Sequence, residues 1–465
     1  QVKVLARKKG NDTTFTMYNR VFDPAITKEI RLYGLHDDDV FEIDQNANSR
    51  IKIRIIGGKG LDTFNLKGKT EALLYDQKEG GNVIINAKSA KNRFSLDEPS
   101  TDKSITGFEY NTTRFPQLLF GYNSDDGFMI GAGLAHRTYG FRNLPYASDQ
   151  RLSALYAPAH KAIQVRYRGE FNHVTRKADL LVNAAYAAPA LRNFYGLGNN
   201  TKLAEGKSRD FYQTRYTTFE AEILLRKRFF EKLSVMVGPY YFHYQANQND
   251  NKDNILADRN LSGLDPQRVF STKSYFGGKA AMRIDNRNND VFPTRGILWN
   301  NELIAASGLG SGAKSYATFT SDMMVYASLS DPAKVVAVLK FGGGRLFNRN
   351  YEFFQAMNFG ANNGLMGFSK NRFAGTSTLY TGIEMKVKLA DLNSYALPGA
   401  LGITGFYNTG RVWYAGDGGG SWHGAYGFGI YYYPLNLFSL TASAGFIDKE
   451  RFYSITLGKR INLTF

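Results

Sequence analysis

The chain has 465 residues, a formal net charge of +17 and no cysteine. The missing thiols exclude a disulfide framework and thiolate chemistry, and the length suits one large domain plus something smaller. No run of about 18 consecutive apolar residues occurs, so a membrane-spanning helix is not expected.

The mean hydropathy of −0.35 does not exclude membrane strands, because half of each such strand faces a polar interior. The 29 tyrosines, 34 phenylalanines and 47 glycines suit strands that need interfacial rings and close backbone approach. The excess of lysine and arginine is spread along strands and loops, without a basic helix, so nucleic acid is not an expected partner. Gln1 opens the chain without a basic region or an apolar run behind it. The expectation is that a signal peptide has been removed or that the start is missing.

Residues 1–100 show no helical periodicity. Short β-rich runs such as Ile51–Ile56 alternate with clusters of Gly, Asn and Asp. Two segments look alike, Tyr33 to Phe41 and Gly57 to Phe64. The second fits the G-G-x-G-x-D-x-U turn of calcium-binding parallel β-rolls, in which carboxylates and turn carbonyls offer hard oxygen ligands. Asp37, Asp39 and Asp62 are the candidate calcium ligands. The alternative is two Gly/Asp turns between strands, and the 23-residue spacing of the segments argues against adjacent rungs sharing one ion.

From residue 101 to 465 the signal is alternation at period two. Ile163, Val165 and Tyr167 alternate with Gln164, Arg166 and Arg168. Tyr453, Ile455, Leu457, Ile461, Leu463 and Phe465 share one face of the last segment, with polar residues opposite. Arginines on such faces are costly against lipid and tolerable against a wet lumen. A soluble sheet also alternates, but these strands are long and no helices cover them. Candidate strands lie near 115–122, 127–139, 149–157, 161–172, 177–187, 209–227, 232–246, 271–286, 296–306, 314–329, 334–345, 376–391, 399–408, 424–434, 437–447 and 451–465. That is about 16, an even number, as single-chain bacterial barrels have. Short and long connections alternate, the long ones being 188–208, 247–270 and 346–375. The fold expected is all-β: a 16-stranded antiparallel transmembrane β-barrel over 101–465, preceded by a small periplasmic β-domain over 1–100.

Four places in the barrel resemble the BamA/TamA superfamily of outer-membrane insertases and two-partner-secretion transporters. Asp285-Asn286-Arg287 through Pro293 and Gly296 looks like the D-x-R turn between the eighth and ninth strands. Gly364-Leu365-Met366-Gly367-Phe368, followed by Arg372, looks like the V-R-G-F region of loop six. Phe406-Tyr407-Asn408-Thr409-Gly410-Arg411-Val412-Trp413 looks like the F-x-D-x-G-x-V-W strand. Thr456, Gly458, Ile461, Leu463 and Phe465 look like the terminal signal read by the assembly machinery.

Two departures matter. In the family the loop-six Arg pairs with the Asp of the wall strand. Here Met366 and Asn408 stand at those two positions. Losing one member would strand a buried charge, whereas losing both is often close to neutral, so the double change reads as a coherent replacement. Glu384 keeps the acidic position on strand twelve, and Arg372 is expected to supply its cation.

The N-terminal segment resembles, over about 70 residues, a β-domain that precedes such barrels in chains carrying an upstream metallophosphoesterase. The metal-binding signatures of that enzyme are absent from these residues, as are an H-E-x-x-H pair, a P-loop and a nucleophile elbow. No enzymatic activity is expected of the residues shown.

The resemblance implies a bacterial outer-membrane location with the N-terminal domain in the periplasm. It also implies contact with outer-membrane lipids and with client membrane or secreted proteins or partner subunits, through a weak seam between first and last strands. The alternatives are a membrane anchor for an upstream hydrolase or partner subunit and, less favoured, a diffusion porin.

Overall fold

The computed structural model describes residues 1–7, 13–95, 112–123, 127–141, 145–175, 178–230, 232–310, 312–348, 350–363, 365–414, 420–435, 438–447 and 450–459. The chain divides into two compact units, Gln1–Glu109 and Tyr110–Phe465.

The first unit opens with an antiparallel hairpin, β1 (Val2–Arg7) and β2 (Thr14–Arg20). Its remainder is a parallel solenoid. Strands β3 (Glu29–His36), β5 (Lys52–Lys59), β7 (Ala72–Tyr75) and β9 (Ala90–Asn92) form one parallel sheet. Strands β4 (Val40–Ile43), β6 (Thr63–Leu66) and β8 (Val83–Ile85) form the other. Each rung is strand, corner, strand. Ile43, Ile55, Phe64, Leu66, Ala72 and Leu74 form the buried core, and Phe41 stacks on Phe64 at 5.4 Å. Stacked rungs bury a face that one rung alone leaves wet.

This corrects the reading of the 23-residue spacing. Val40 pairs with Thr63 and Phe41 with Phe64, so the two Asp-rich segments are corners of adjacent rungs.

The second unit is a sixteen-stranded antiparallel barrel sheet. In chain order its first eleven strands are β10 (Thr113–Asn123), β11 (Gly127–Thr138), β12 (Ser148–Ala157), β13 (Ala162–Thr175), β14 (Ala178–Asn193), β15 (Gln213–Phe229), β16 (Leu233–Gln245), β17 (Lys273–Asp285), β18 (Gly296–Leu309), β19 (Tyr316–Ala327) and β20 (Val335–Leu346). Two short strands follow within one loop, β21 (Met357–Phe359) and β22 (Phe373–Gly375), paired with each other. The sheet resumes with β23 (Ser377–Leu392), β24 (Gly399–Trp413), β25 (His423–Pro434), β26 (Phe438–Ile447) and β27 (Glu450–Lys459). Each of the sixteen candidate barrel strands has a counterpart among the described residues, the last as far as Lys459.

Alternation sets the two faces. On β24, Ile403 and Tyr407 are 44% and 49% exposed, while Thr404, Phe406 and Asn408 between and beside them are buried. The exposed set is apolar, as lipid requires, and the buried set mixes rings with polar groups. Curvature shows in contacts between strands far apart in the ladder. Phe292, in the turn between β17 and β18, stacks on Tyr433 of β25 at 5.0 Å. The long connections 194–212, 246–272 and 347–376 all lie at one end of the sheet, and the opposite end carries shorter turns.

Candidate functional site

Loop six, residues 347–376, folds back onto the inner wall. The β21–β22 hairpin puts Phe359 and Phe373 parallel at 5.5 Å. Together with Leu365 and Phe368 they pack on Tyr380 of β23, Val412 of β24 and Ala425 of β25. Leu365 is fully buried and Phe368 lies 4.7 Å from Phe359. The loop tip therefore rests in an apolar socket in the wall.

The two substituted positions of the family motif still meet. The side-chain Nδ2 of Asn408 donates to the Met366 carbonyl at 2.9 Å. Asn408 is 1% exposed. An amide-to-carbonyl hydrogen bond has replaced a charge pair, and it involves no ionised partner. Backbone packing completes the contact. A Cβ on Gly445 of β26 would stand 2.3 Å from the Gly367 Cα, so only glycine allows this approach.

Glu384 does not use Arg372. Its cations are two wall residues, Lys340 on β20 at 3.5 Å and Lys386 on β23 at 3.7 Å, and the Thr404 hydroxyl donates to it at 3.0 Å. Arg372 instead donates to the hydroxyl and carbonyl oxygens of Thr201, both at 3.1 Å, and lies over the rings of Tyr195 and Phe373. Cross-strand neighbours of Glu384 supply its counter-charge, while the loop arginine ties loop six to another loop.

That tie belongs to a larger cap. Phe194, Tyr212, Tyr244, Tyr275, Phe353 and Phe354 belong to one buried cluster drawn from the long loops and the adjoining strand ends. Tyr244 stacks on Phe354 at 4.2 Å. Glu352 of loop six receives Arg268 at 2.8 Å and faces the buried Lys273 ammonium at 3.6 Å. Asn199, fully buried, holds three segments together. Its side chain donates to the Ser421 carbonyl at 2.9 Å and accepts from the Val412 N–H at 3.0 Å, and its carbonyl meets His423 Nε2 at 2.8 Å. Sequence reasoning missed Asn199, Lys273 and Glu352. A loop Asn has no period, and nothing local marks it.

The D-x-R turn is built as expected of its residues. Arg287 grips Asp285 with Nε and Nη2, at 2.8 and 2.9 Å, a bidentate geometry. Asn288 accepts from the N–H groups of Thr294 and Arg295, closing the turn.

Of the terminal residues, Thr456 and Gly458 lie on β27, opposite Thr441 and Ser439 of β26. Ile461, Leu463 and Phe465 lie outside the described residues, as does Gly364. Among the described residues, β10 pairs with β11 and β27 with β26, and no ladder joins β10 to β27. In the solenoid, Asp37 is exposed with φ of 71°, while Asp39 and Asp62 occupy the same place in successive rungs.

A model of the Omp85 superfamily domain matches residues 161–437. Among solved structures, BamA from Haemophilus ducreyi lacking POTRA domains 1–3 is similar with a TM-score of 0.52 at 14% identity, over 75% of this chain and 70% of that one. CdiB from Acinetobacter baumannii gives 0.45 at 12% identity, over 75% of this chain and 59% of that one. CdiB from Escherichia coli gives 0.46 at 12% identity, over 82% of this chain and 65% of that one. No curated protein matches the chain. The superfamily match, together with the sixteen-stranded sheet and its inward loop six, identifies the chain as a member of the Omp85 superfamily, an outer-membrane β-barrel protein of bacteria.

Proposed function

We propose that the protein takes part in assembling or exporting other proteins, using the edges of β10 and β27 as a strand-pairing seam. The observation that carries this is the missing ladder between those strands among the described residues. An unpaired edge presents N–H and C=O groups that an incoming strand satisfies. Pro116 on β10 lacks an N–H and so suits an edge strand better than an interior one. The clients are outer-membrane or secreted chains, and the N-terminal solenoid faces the periplasm.

Depletion tests this reading. Levels of other outer-membrane barrels, or of one secreted class, fall when the protein is removed. A photo-cross-linking residue replacing Phe120 on β10 captures a nascent client. Unchanged levels of every barrel and secreted protein, with no captured chain, would sink the proposal.

A second reading is a membrane anchor for a periplasmic hydrolase domain or partner subunit. It is favoured by the first unit, whose described residues form strands alone, without the β-α-α-β-β pattern of a client-receiving module. A diffusion porin is the weakest reading, because a buried cap and the inward loop six stand in the path through the barrel.

A further inference from the structure

We infer that the solenoid binds a divalent cation of the calcium class between the carboxylates of Asp62, at the end of the corner from β5 to β6, and Asp76, at the start of the corner from β7 to β8. The inference starts from the register. Parallel pairing puts Gly34, Gly57 and Asp76 one above another at the start of three successive corners. It puts Asp39, Asp62 and Asn82 one above another at the ends of those corners.

At the corner ends the chain repeats one hydrogen bond. Asp62 Oδ1 accepts from the Asp39 N–H at 2.9 Å, and Asn82 Oδ1 accepts from the Asp62 N–H at 2.8 Å. That bond uses one oxygen of Asp62 and leaves the other for something else. The Asp62 and Asp76 side chains are 0% and 2% exposed, and the Oδ2 of each has no hydrogen-bond partner. Asp39 Oδ2 is buried without a partner in the same way.

The Asp62 and Asp76 oxygens aim at a common space. The point where a Cβ of Gly57 would stand lies 2.0 Å from Asp76 Oδ2 and 2.2 Å from Asp62 Oδ2. The equivalent point on Gly34 lies 2.5 Å from Asp39 Oδ2 and 2.4 Å from the Gly57 carbonyl oxygen. Glycine at these two places leaves the carboxylates room that any other residue would fill. Two buried acidic oxygens meeting at the Gly57 point, with a third one rung away, favour a positive partner.

The arrangement is a row up the corner. Among the described residues, no three acidic, histidine or cysteine side chains close round one ion. The ion is therefore held by two carboxylates, with Asp39 one rung away adding charge, and backbone carbonyls or water complete its shell. Oxygen-only donors in an irregular shell suit calcium better than magnesium, which demands near-octahedral geometry, or zinc, which favours nitrogen and sulfur. Asp37, the exposed residue at the turn, has no part in it.

The test is calorimetric titration of calcium chloride into the full chain in detergent, at neutral pH after chelator treatment. One saturable ion binds the native protein. Asp62→Asn and Asp76→Asn each weaken it at least about tenfold, while Asp37→Asn leaves it unchanged. The asparagine variants keep shape and remove the repulsion, so circular dichroism in chelator shows them folded. Absence of saturable binding to the native chain overturns the inference. Binding that survives both variants, or that Asp37→Asn abolishes, overturns it equally.

Discussion

Asn408→Leu tests whether an amide-to-carbonyl bond holds loop six where the family uses a charge pair. Leucine has the same number of side-chain heavy atoms and the same branching as asparagine, in a bulkier side chain, but no donor. The Met366 carbonyl then loses the Asn408 Nδ2 donor that it meets at 2.9 Å, beside a side chain only 1% exposed. A buried acceptor stripped of its partner costs about 1–3 kcal/mol, a factor of about 5 to 150 in the population of an open loop. The chain contains no cysteine, so Leu365→Cys introduces a single thiol at a fully buried position of the loop tip. Maleimide labelling of that thiol reports opening. In this background Asn408→Leu accelerates labelling about tenfold. Asn408→Asp, which restores the acidic residue alone, accelerates it further, because a buried carboxylate then faces a carbonyl. Adding Met366→Arg to Asn408→Asp recovers part of the loss, and the double-mutant cycle isolates that coupling. Labelling of Asn408→Leu within about twofold of the parent would refute the bond's role.

Asn199→Ala removes the side-chain partner of the Ser421 carbonyl and the Val412 N–H, so residues 194–212 and 420–422 become protease-sensitive in intact cells. An unchanged digestion pattern would count against the lock. Gly445→Ala forces a Cβ to within 2.3 Å of the Gly367 Cα, and the tip withdraws, lowering the barrel's heat-denaturation temperature on gels by several degrees. Planar-bilayer recording of the purified protein shows no steady conductance, and deleting 350–372 produces it; an open native channel would refute the cap. Asp39 and Asp76 are pushed up to about 6 from an ordinary 3.8, foremost by burial and then by the charge of Asp62, with Asp37 and Asp38 adding to Asp39. Raised acids bind protons more tightly folded than unfolded, so their contribution to stability is present below about pH 4 and lost as pH rises through about 6. In chelator the solenoid therefore digests faster at pH 7 than at pH 4.5 with an acid-tolerant protease, and equal rates would refute this.

The barrel was legible because lipid and lumen impose a strict period of two on every strand. Boundaries slipped where that period met a local oddity. β14 runs on past Pro189 to Asn193, and β24 continues beyond Asn408 through Gly410 to Trp413. The site was half legible. Motif order located Met366 and Asn408, but the partners of Glu384 depend on register, which sets Val338 opposite it and Lys340 one alternation further along β20. The solenoid resisted because its strands are as short as three residues and its repeat is uneven. The offset is 23 residues between Asp39 and Asp62 but 20 between Asp62 and Asn82. Aromatic loop residues such as Phe353 and Phe354 carry no period at all, so only the fold reveals that they are core.

Asn199 binds Val412 across 213 residues of sequence. Closing so wide an interval is entropically demanding. It cannot form until β24 and β25 have taken their places, long after β14 has. The keystone of this end of the sheet thus joins the loop after β14 to strands that come after loop six in chain order.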